Sequence, residues 1–365
     1  TTSGQYHIGR IGAYGGWNTS KGDTNVIVGI TDTGTEPTHP DLAANIKHNY
    51  ADPINSIDDD FDGYVDNFSG WDVGMNDNNP TWQGDAHGVH VSGISSASTD
   101  NAIGIAGIGF KCKFLPVKIA NSSGALTAAY EGIKYAADHG CKVINCSWGG
   151  QGGGQYGQDI CNYATFNKDA LVVIAAGNTG LDELFFPAAY NDVMAVANTQ
   201  SNDIINSGST YGYFVDVSAP GTNINSTYAG SSYIPSTCTS MASPVVAGVV
   251  AIVRSFYPSY SALQAKERVK QTADNHYGLP INNGASRKDK LGTGRVNLDS
   301  ALTETLKPAV VYSQLMFDDK NDDIFNLNDT LRIGGLFTNY LAPTTALTAT
   351  LMALTAGVTV LNNTV

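Results

Sequence analysis

The chain has 365 residues, 42% of them hydrophobic and 15% charged, which is ordinary for a globular protein with room for one large domain and a smaller appendage. Its 20 Lys and Arg against 33 Asp and Glu give a net charge of -13, the wrong sign for neutralising phosphates or anionic lipid, so nucleic acid and membrane surfaces are set aside as partners. No run of about 18 apolar residues offers a membrane span, and five cysteines without a C-x-x-C pair are too few for a disulfide scaffold and wrongly spaced for zinc.

The chain opens at Thr1 with no Met, basic n-region or apolar h-region, so any signal peptide is expected to have been removed or to lie outside it. From about residue 25 to 300, short apolar runs alternate with helical stretches, the pattern of a mainly parallel sheet with helices on both faces. Strands are expected at 25–31, 114–119, 142–147, 170–176, 192–197 and 214–217. A helix over 127–139 is stopped by Gly140, a residue suited to a left-handed cap. The stretch 240–256 is apolar around its whole circumference and predicts a buried central helix. Pro244 is tolerable only in its first turn, which puts Ser240 at the helix N-terminus. Ser261 and Gln264 form a capping-box pattern for the next helix.

After about Leu306 the texture changes to Thr, Leu and Asn with period-two alternation, as over 346–352, and 308–365 reads as β. Fewer than 60 residues cannot complete a sandwich of about 100. The expected organisation is therefore an α/β domain over 1–306 and a short β-rich C-terminal extension over 307–365, part of a β-sandwich.

In open parallel sheets functional groups gather at the carboxyl ends of strands. Three polar residues stand at such ends: Asp32 after V-I-V-G-I-T, Ser147 after K-V-I-N-C and Asn178 after V-V-I-A-A-G. D-A-H-G-V-H-V-S-G at 85–93 puts His87 at the start of a small-residue helix, and T-S-M-A-S-P at 239–244 puts Ser240 at another. An unactivated serine hydroxyl is a feeble nucleophile. It needs an imidazole to take its proton and a carboxylate to fix that imidazole's tautomer.

These residues sit within I-T-D-T-G at 30–34, H-P-D-L at 39–42, H-G-V-H-V-S-G at 87–93, N-C-S-W-G-G at 145–150, A-A-G-N at 175–178 and T-S-M-A-S-P-V-V-A-G at 239–248. In that order the motifs resemble the subtilisin-like serine proteases, or subtilases, over about residues 5–303. The resemblance implies a subtilisin-like fold and a secreted, monomeric endopeptidase with Asp32 as orienting carboxylate, His87 as general base then acid, and Ser240 as nucleophile. It makes His90 a neighbour of the site. It makes Asn178 an oxyanion-hole amide acting with the backbone N–H of Ser240, an interaction that the family's own measurements put at roughly 10²–10³ in kcat. Protein or peptide substrates are expected to lie extended between the edges Gly124, Ala125, Leu126 and Ser147, Trp148, Gly149, by β-augmentation. The side-chain pocket is expected near Trp148, Gly149, Ala175, Gly177 and Phe185. With no acidic residue in those motifs, broad specificity with an apolar or aromatic preference before the scissile bond is expected. The resemblance also implies a prosegment acting as inhibitor.

One departure stands out, because the family usually has Gly two residues before the nucleophile and this chain has Cys238. Cys112 and Cys141 each sit just before a predicted strand and are candidates to pair. The D-T-G triplet also marks pepsin-like aspartic proteases, but no second D-T-G or D-S-G occurs and the α/β alternation contradicts an all-β fold. His87 and His90 form H-x-x-H without the Glu of a zinc peptidase. A binding module on a dead protease fold is disfavoured by the intact Asp32, His87, Asn178 and Ser240.

Two structural calcium sites are expected. In the loop D-D-D-F-D-G-Y-V-D at 58–66, Asp58, Asp60, Asp62 and Asp66 supply oxygens at alternating spacing and Gly63 allows a sharp turn, without the terminal Glu of an EF-hand. The second, implied by the resemblance, uses Asp41, the Asn101 side chain and the carbonyls of Ile103 and Ile105, with Thr2 near a further ligand position.

Overall fold

The computed structural model describes residues 4–319, 324, 326, 328–351 and 358–361. It divides into two compact units, Thr1–Glu304 and Thr305–Val365.

In chain order the first unit holds the helices α1 (Tyr6–Arg10) and α2 (Ala13–Thr19), the strands β1 (Ile27–Asp32) and β2 (Trp71–Asp72), then α3 (His87–Ser96) and β3 (Lys113–Lys118). It continues with α4 (Ala129–Asp138), β4 (Val143–Cys146), α5 (Gln155–Asn162), β5 (Leu171–Ala175), β6 (Met194–Thr199) and β7 (Val217–Pro220). A hairpin of β8 (Ile224–Tyr228) and β9 (Ser232–Ser236) precedes α6 (Thr239–Phe256), α7 (Ala262–Gln271) and α8 (Leu298–Thr303).

Seven strands form one parallel sheet in the order β2-β3-β1-β4-β5-β6-β7. The order reverses at β1, because the chain runs first to β2 and β3 on one side and then to β4 and its successors on the other. Such a switch point places a site beyond the carboxyl end of β1. Side-chain alternation splits the core in two. Val28, Ile30, Val143 and Val173 pack with α3 and α6, whereas Ile27, Ile144, Val172 and Ile174 face α4.

Helix α6 is long and apolar enough to cross a membrane by length and composition, against the expectation that no such run exists, but 89% of it is buried. It packs on β4 to β7 and on α3, as a core helix does. Its Pro244 lies in the second turn rather than the first as expected, and the carbonyl that its missing N–H would have met, Ser240 O, accepts from Ser147 Oγ at 2.8 Å instead; the capping box of α7 is complete in both directions.

The structure differs from expectation at several places. β7 begins at Val217 rather than ending there, because the chain at 212–215 turns, with Val215 N–H donating to Gly212 O. Strand β2 has two residues, too few for a pattern, and the β8–β9 hairpin is rich in Ser, Thr and Asn rather than apolar. All five cysteines are free. Cys112 and Cys141 cannot pair: β1 lies between β3 and β4, so strand spacing alone separates them by about 10 Å, and they belong to core clusters on opposite sheet faces.

The second unit holds β10 (Val310–Asp318) and β11 (Arg332–Asn339), an antiparallel pair with an irregular register between Ser313 and Met316. Tyr312 stacks on Phe337 at 4.6 Å. Of the alternating stretch 346–352, residues 346–351 lie in no named strand and Met352 lies outside the described residues.

Candidate active site

Asp32 ends β1 and is 2% exposed. Its Oδ1 accepts the Thr33 N–H at 2.8 Å and faces His87 Nδ1 at 2.7 Å. A carboxylate accepts only, so the ring proton sits on Nδ1 and Nε2 is left as a base. Gly88 is what lets α3 come so close to β1. A Cβ there would lie 2.2 Å from Gly34 O and 3.0 Å from Asp32 Cβ, and its N–H donates to Thr33 Oγ1 at 2.9 Å. Burial alone would lower the His87 pKa, but the charge and hydrogen bond of Asp32, with the adjacent Cys238 thiol, hold it well above the usual imidazole range.

Ser240 lies in the first turn of α6 and is 7% exposed. Its Oγ donates to Ser147 O at 3.1 Å, and Ser147 Oγ donates back to Ser240 O at 2.8 Å. Asn145 continues the tie, giving Nδ2 to Ser147 Oγ at 3.0 Å and accepting from Ser243 Oγ at 2.7 Å. The N-terminus of α6 is thereby fixed to the end of β4. Asn178 is exposed just past β5, and its Oδ1 accepts from Thr239 N at 2.9 Å and Thr239 Oγ1 at 3.0 Å. With Oδ1 so held, Nδ2 is the end of the amide free to donate. Cys238 has φ -173°, extended backbone that any residue adopts, so the departure from Gly strains nothing.

His90 faces away from this cluster. It is 2% exposed, its Nε2 meets Ile234 O at 3.0 Å, and burial pushes its pKa down to about 4.

Of the expected substrate residues, Gly124, Ala125 and Leu126 form a turn in which Asn121 N–H donates to Ala125 O at 2.9 Å. Gly124 has φ +87° and packs on Asp85, beside His87, so this edge runs past the base. Ser147 is buried and Gly149 exposed. Trp148 gives Nε1 to Thr31 O at 2.9 Å and meets Tyr130 edge-on, which engages it with the core. Ala175 is 2% exposed. The Phe185 ring fills the space beside both Gly149 and Gly177, 2.4 Å and 2.8 Å from where a Cβ on each would stand.

In the acidic loop the structure brings Asp58 and Asp60 together with Asp52, their ligand oxygens within 4.8 Å of one another. Three carboxylates so close suit a hard divalent cation. Asp52 is fully buried and was missed in the sequence because it lies outside the acidic run. Asp62 turns to Asn67 and His139, and Asp66 accepts the N–H groups of Asn55 and Ser56. Asp41 is fully buried with no basic partner among the described residues. It accepts from Asn101 Nδ2 at 2.7 Å, Ile105 N at 2.9 Å and Tyr233 OH at 3.3 Å. A buried anion with neutral donors only also fits a cation. Ile103 is exposed and its N–H donates to Asn101 Oδ1. Thr2 lies outside the described residues.

The subtilase family profile matches residues 23–299. Thermitase of Thermoactinomyces vulgaris is 40% identical over 279 residues, covering 76% of this chain and 91% of its own. A thermophilic serine proteinase of a Bacillus species is 38% identical over 264 residues, 72% of this chain and 60% of its own. Among solved structures, a protease from Pseudoalteromonas arctica is similar with a TM-score of 0.67 at 30% identity, over 82% of this chain and 97% of its own.

Proposed function

The chain belongs to the subtilase family of serine endopeptidases, and from that premise we propose that it hydrolyses peptide bonds through Ser240, His87 and Asp32. The observation that carries the reading is the 2.7 Å contact of His87 Nδ1 with buried Asp32, beside a serine held at the start of α6. Ser240 Oγ turns from the Ser147 carbonyl to give its proton to His87 Nε2 and attacks the scissile carbonyl. Asp32 keeps the imidazole in the right tautomer and stabilises the imidazolium. Asn178 Nδ2 and the Ser240 N–H donate to the oxyanion. His87 then protonates the leaving amine, and water, activated by the same imidazole, releases the acyl group from Ser240.

Substrate lies extended between 124–126 and 147–149, so main-chain bonds supply affinity and specificity is broad. An apolar or aromatic side chain before the scissile bond packs near Gly149, Gly177 and Phe185. Calcium is a structural cofactor, held by the acidic loop through Asp58 and Asp60 with Asp52, and at Asp41 with Asn101. It supplies charge neutralisation there and no chemical step. Secretion, a monomeric state, an inhibitory prosegment and a β-rich C-terminal extension over 307–365 that forms part of a β-sandwich complete the proposal. Mapping the adduct of a serine-directed sulfonyl fluoride tests the nucleophile.

A further inference from the structure

The amino end of the sheet, opposite the carboxyl end of β1 that carries Asp32, holds three lysines that the proposed hydrolysis leaves unused. Lys113 opens β3, and Lys21 and Lys111 are brought side by side where the Lys111 N–H donates to Lys21 O at 3.0 Å. Cys112, between Lys111 and Lys113, is 1% exposed and packs in the core, which turns the two lysines outward together. All three line one cleft of about 410 Å³, with Ser98, Asp100 and Phe110 also on its wall. Two of the ammonium groups are placed by contacts with that wall. Lys21 Nζ stands 4.9 Å from the centre of the Phe110 ring, and Lys113 Nζ donates at 2.5 Å to the carbonyl of Ala44, another lining residue.

In a chain with a net charge of -13, lysines have carboxylates to spare. Lys118, Lys134, Lys142, Lys168, Lys266 and Lys270 all pair with one. Among the described residues Lys21, Lys111 and Lys113 form no ion pair, although Asp100 shares their cleft. Three ammonium groups against one carboxylate leave the cleft positive. A separate observation points to the same ligand chemistry. Ser98 is 8% exposed, and its hydroxyl has no hydrogen-bond partner among the described residues, so an oxyanion in the cleft would supply the acceptor it lacks. Burial also lowers the pKa of Lys113, a cost that a bound anion offsets.

We propose that this cleft binds a phosphate dianion, free or as a monoester, held by Lys21, Lys111 and Lys113 with the Ser98 hydroxyl donating to one of its oxygens. Phosphate suits the cleft better than a carboxylate does. It carries up to two negative charges, and its tetrahedral oxygens can meet several ammonium groups and a hydroxyl from different sides. Lysines engage it as point charges, which asks less of their geometry than a planar fork would. The cleft exceeds the ion itself in size, which leaves room for the organic part of a monoester. Because the lysines lie at the amino end of the sheet and Asp32 at a carboxyl end, the proposal stands independently of the peptidase reading.

The test is equilibrium dialysis of the full chain against labelled inorganic phosphate, with ionic strength held at about 0.15 M by chloride so that screening stays constant. The expected result is saturable uptake of one phosphate per chain with a Kd below about 1 mM. Lys21→Gln and Lys111→Gln, both at exposed positions, should each weaken it at least roughly tenfold, and Ser98→Ala should weaken it several-fold. Lys288→Gln removes the same charge from an exposed position outside the cleft and should bind as the parent does. O-phosphoserine that displaces the label at lower concentration than phosphate itself would support the monoester form, and at higher concentration the free ion. The proposal is overturned if uptake does not saturate by about 10 mM phosphate. It is equally overturned if Lys21→Gln and Lys111→Gln bind as tightly as the parent, or if Lys288→Gln weakens binding as much as they do.

Discussion

Ser147 and Ser240 exchange two hydrogen bonds, each hydroxyl donating to the other residue's carbonyl, at 2.8 Å and 3.1 Å. The proposed nucleophile is therefore anchored through the backbone of the proposed substrate edge, and any loosening there should move both. Ser147→Ala removes one bond and leaves the buried Asn145 Nδ2 without its partner, a cost of about 1–3 kcal/mol. A lower urea midpoint together with a reduced kcat is expected, and an unchanged midpoint would contradict the network.

The raised His87 pKa fixes the direction of the pH profile. The general base must be neutral, so kcat/KM should climb as pH rises through that pKa and be greatest on the alkaline side. Asp32→Asn removes the main raising influence and the tautomer lock. It should move the profile toward lower pH and reduce kcat by about 10⁴-fold, the loss known for the equivalent change in another serine protease. A rate that falls steadily above neutral pH would contradict this assignment.

Buried histidines set the acid limit of stability. His7 is fully buried with both ring nitrogens unpaired, and burial lowers it to about 3 and His90 to about 4. The unfolded chain takes these protons near pH 6.5, about where a free imidazole titrates. The folded chain resists them, so the stability owed to the neutral rings is full above that pH and is lost as pH falls toward about 4 and then about 3. Every tenfold difference in proton affinity between the folded and unfolded chain corresponds to about 1.4 kcal/mol. Urea midpoints should fall between pH 7 and 5 by less in His7→Phe than in the parent.

Removing calcium should destabilise without touching the chemistry. A cation that binds only the folded state adds about 2.7 kcal/mol at a hundredfold excess over Kd. Chelation should lower Tm and hasten autolysis, and Asp41→Ala and Asp52→Ala should each reproduce part of the loss. A thermal scan unmoved by chelator, with no calcium retained on elemental analysis, would remove both sites.

Phe185 should set the depth of the side-chain pocket, since its ring lies against both Gly149 and Gly177. Peptide-library profiling should show apolar side chains before the cleaved bond, and Phe185→Ala should shift the preference toward larger ones by about 1–3 kcal/mol per methylene accommodated. Strict cleavage after Lys or Arg would contradict the pocket assignment.

Much of this arrangement is legible in the sequence because it depends on local signals. Apolar runs mark the sheet, Pro244 and the all-apolar stretch mark α6, and small residues after His87 mark the close approach of α3 to β1. What stays hidden depends on contacts made across long stretches of chain. Asp52 joins Asp58 and Asp60 only once the loop is folded, and Tyr233 reaches Asp41 across 192 positions. Trp148 looks like a pocket wall in the motif, yet its indole N–H is held by Thr31. Strand order has the same character: nothing in 112–141 announces that β1 inserts between the strands that follow Cys112 and Cys141.

The most direct test of the account is to treat the folded chain with a serine-directed sulfonyl fluoride, map the adduct by mass spectrometry and measure amide hydrolysis beside Ser240→Ala. The account predicts one adduct, on Ser240, formed in step with loss of activity, and a variant that folds normally but retains only the residual rate left by binding and the oxyanion site. An adduct on another residue, or a Ser240→Ala variant that keeps more than a few per cent of the parent kcat, would contradict it.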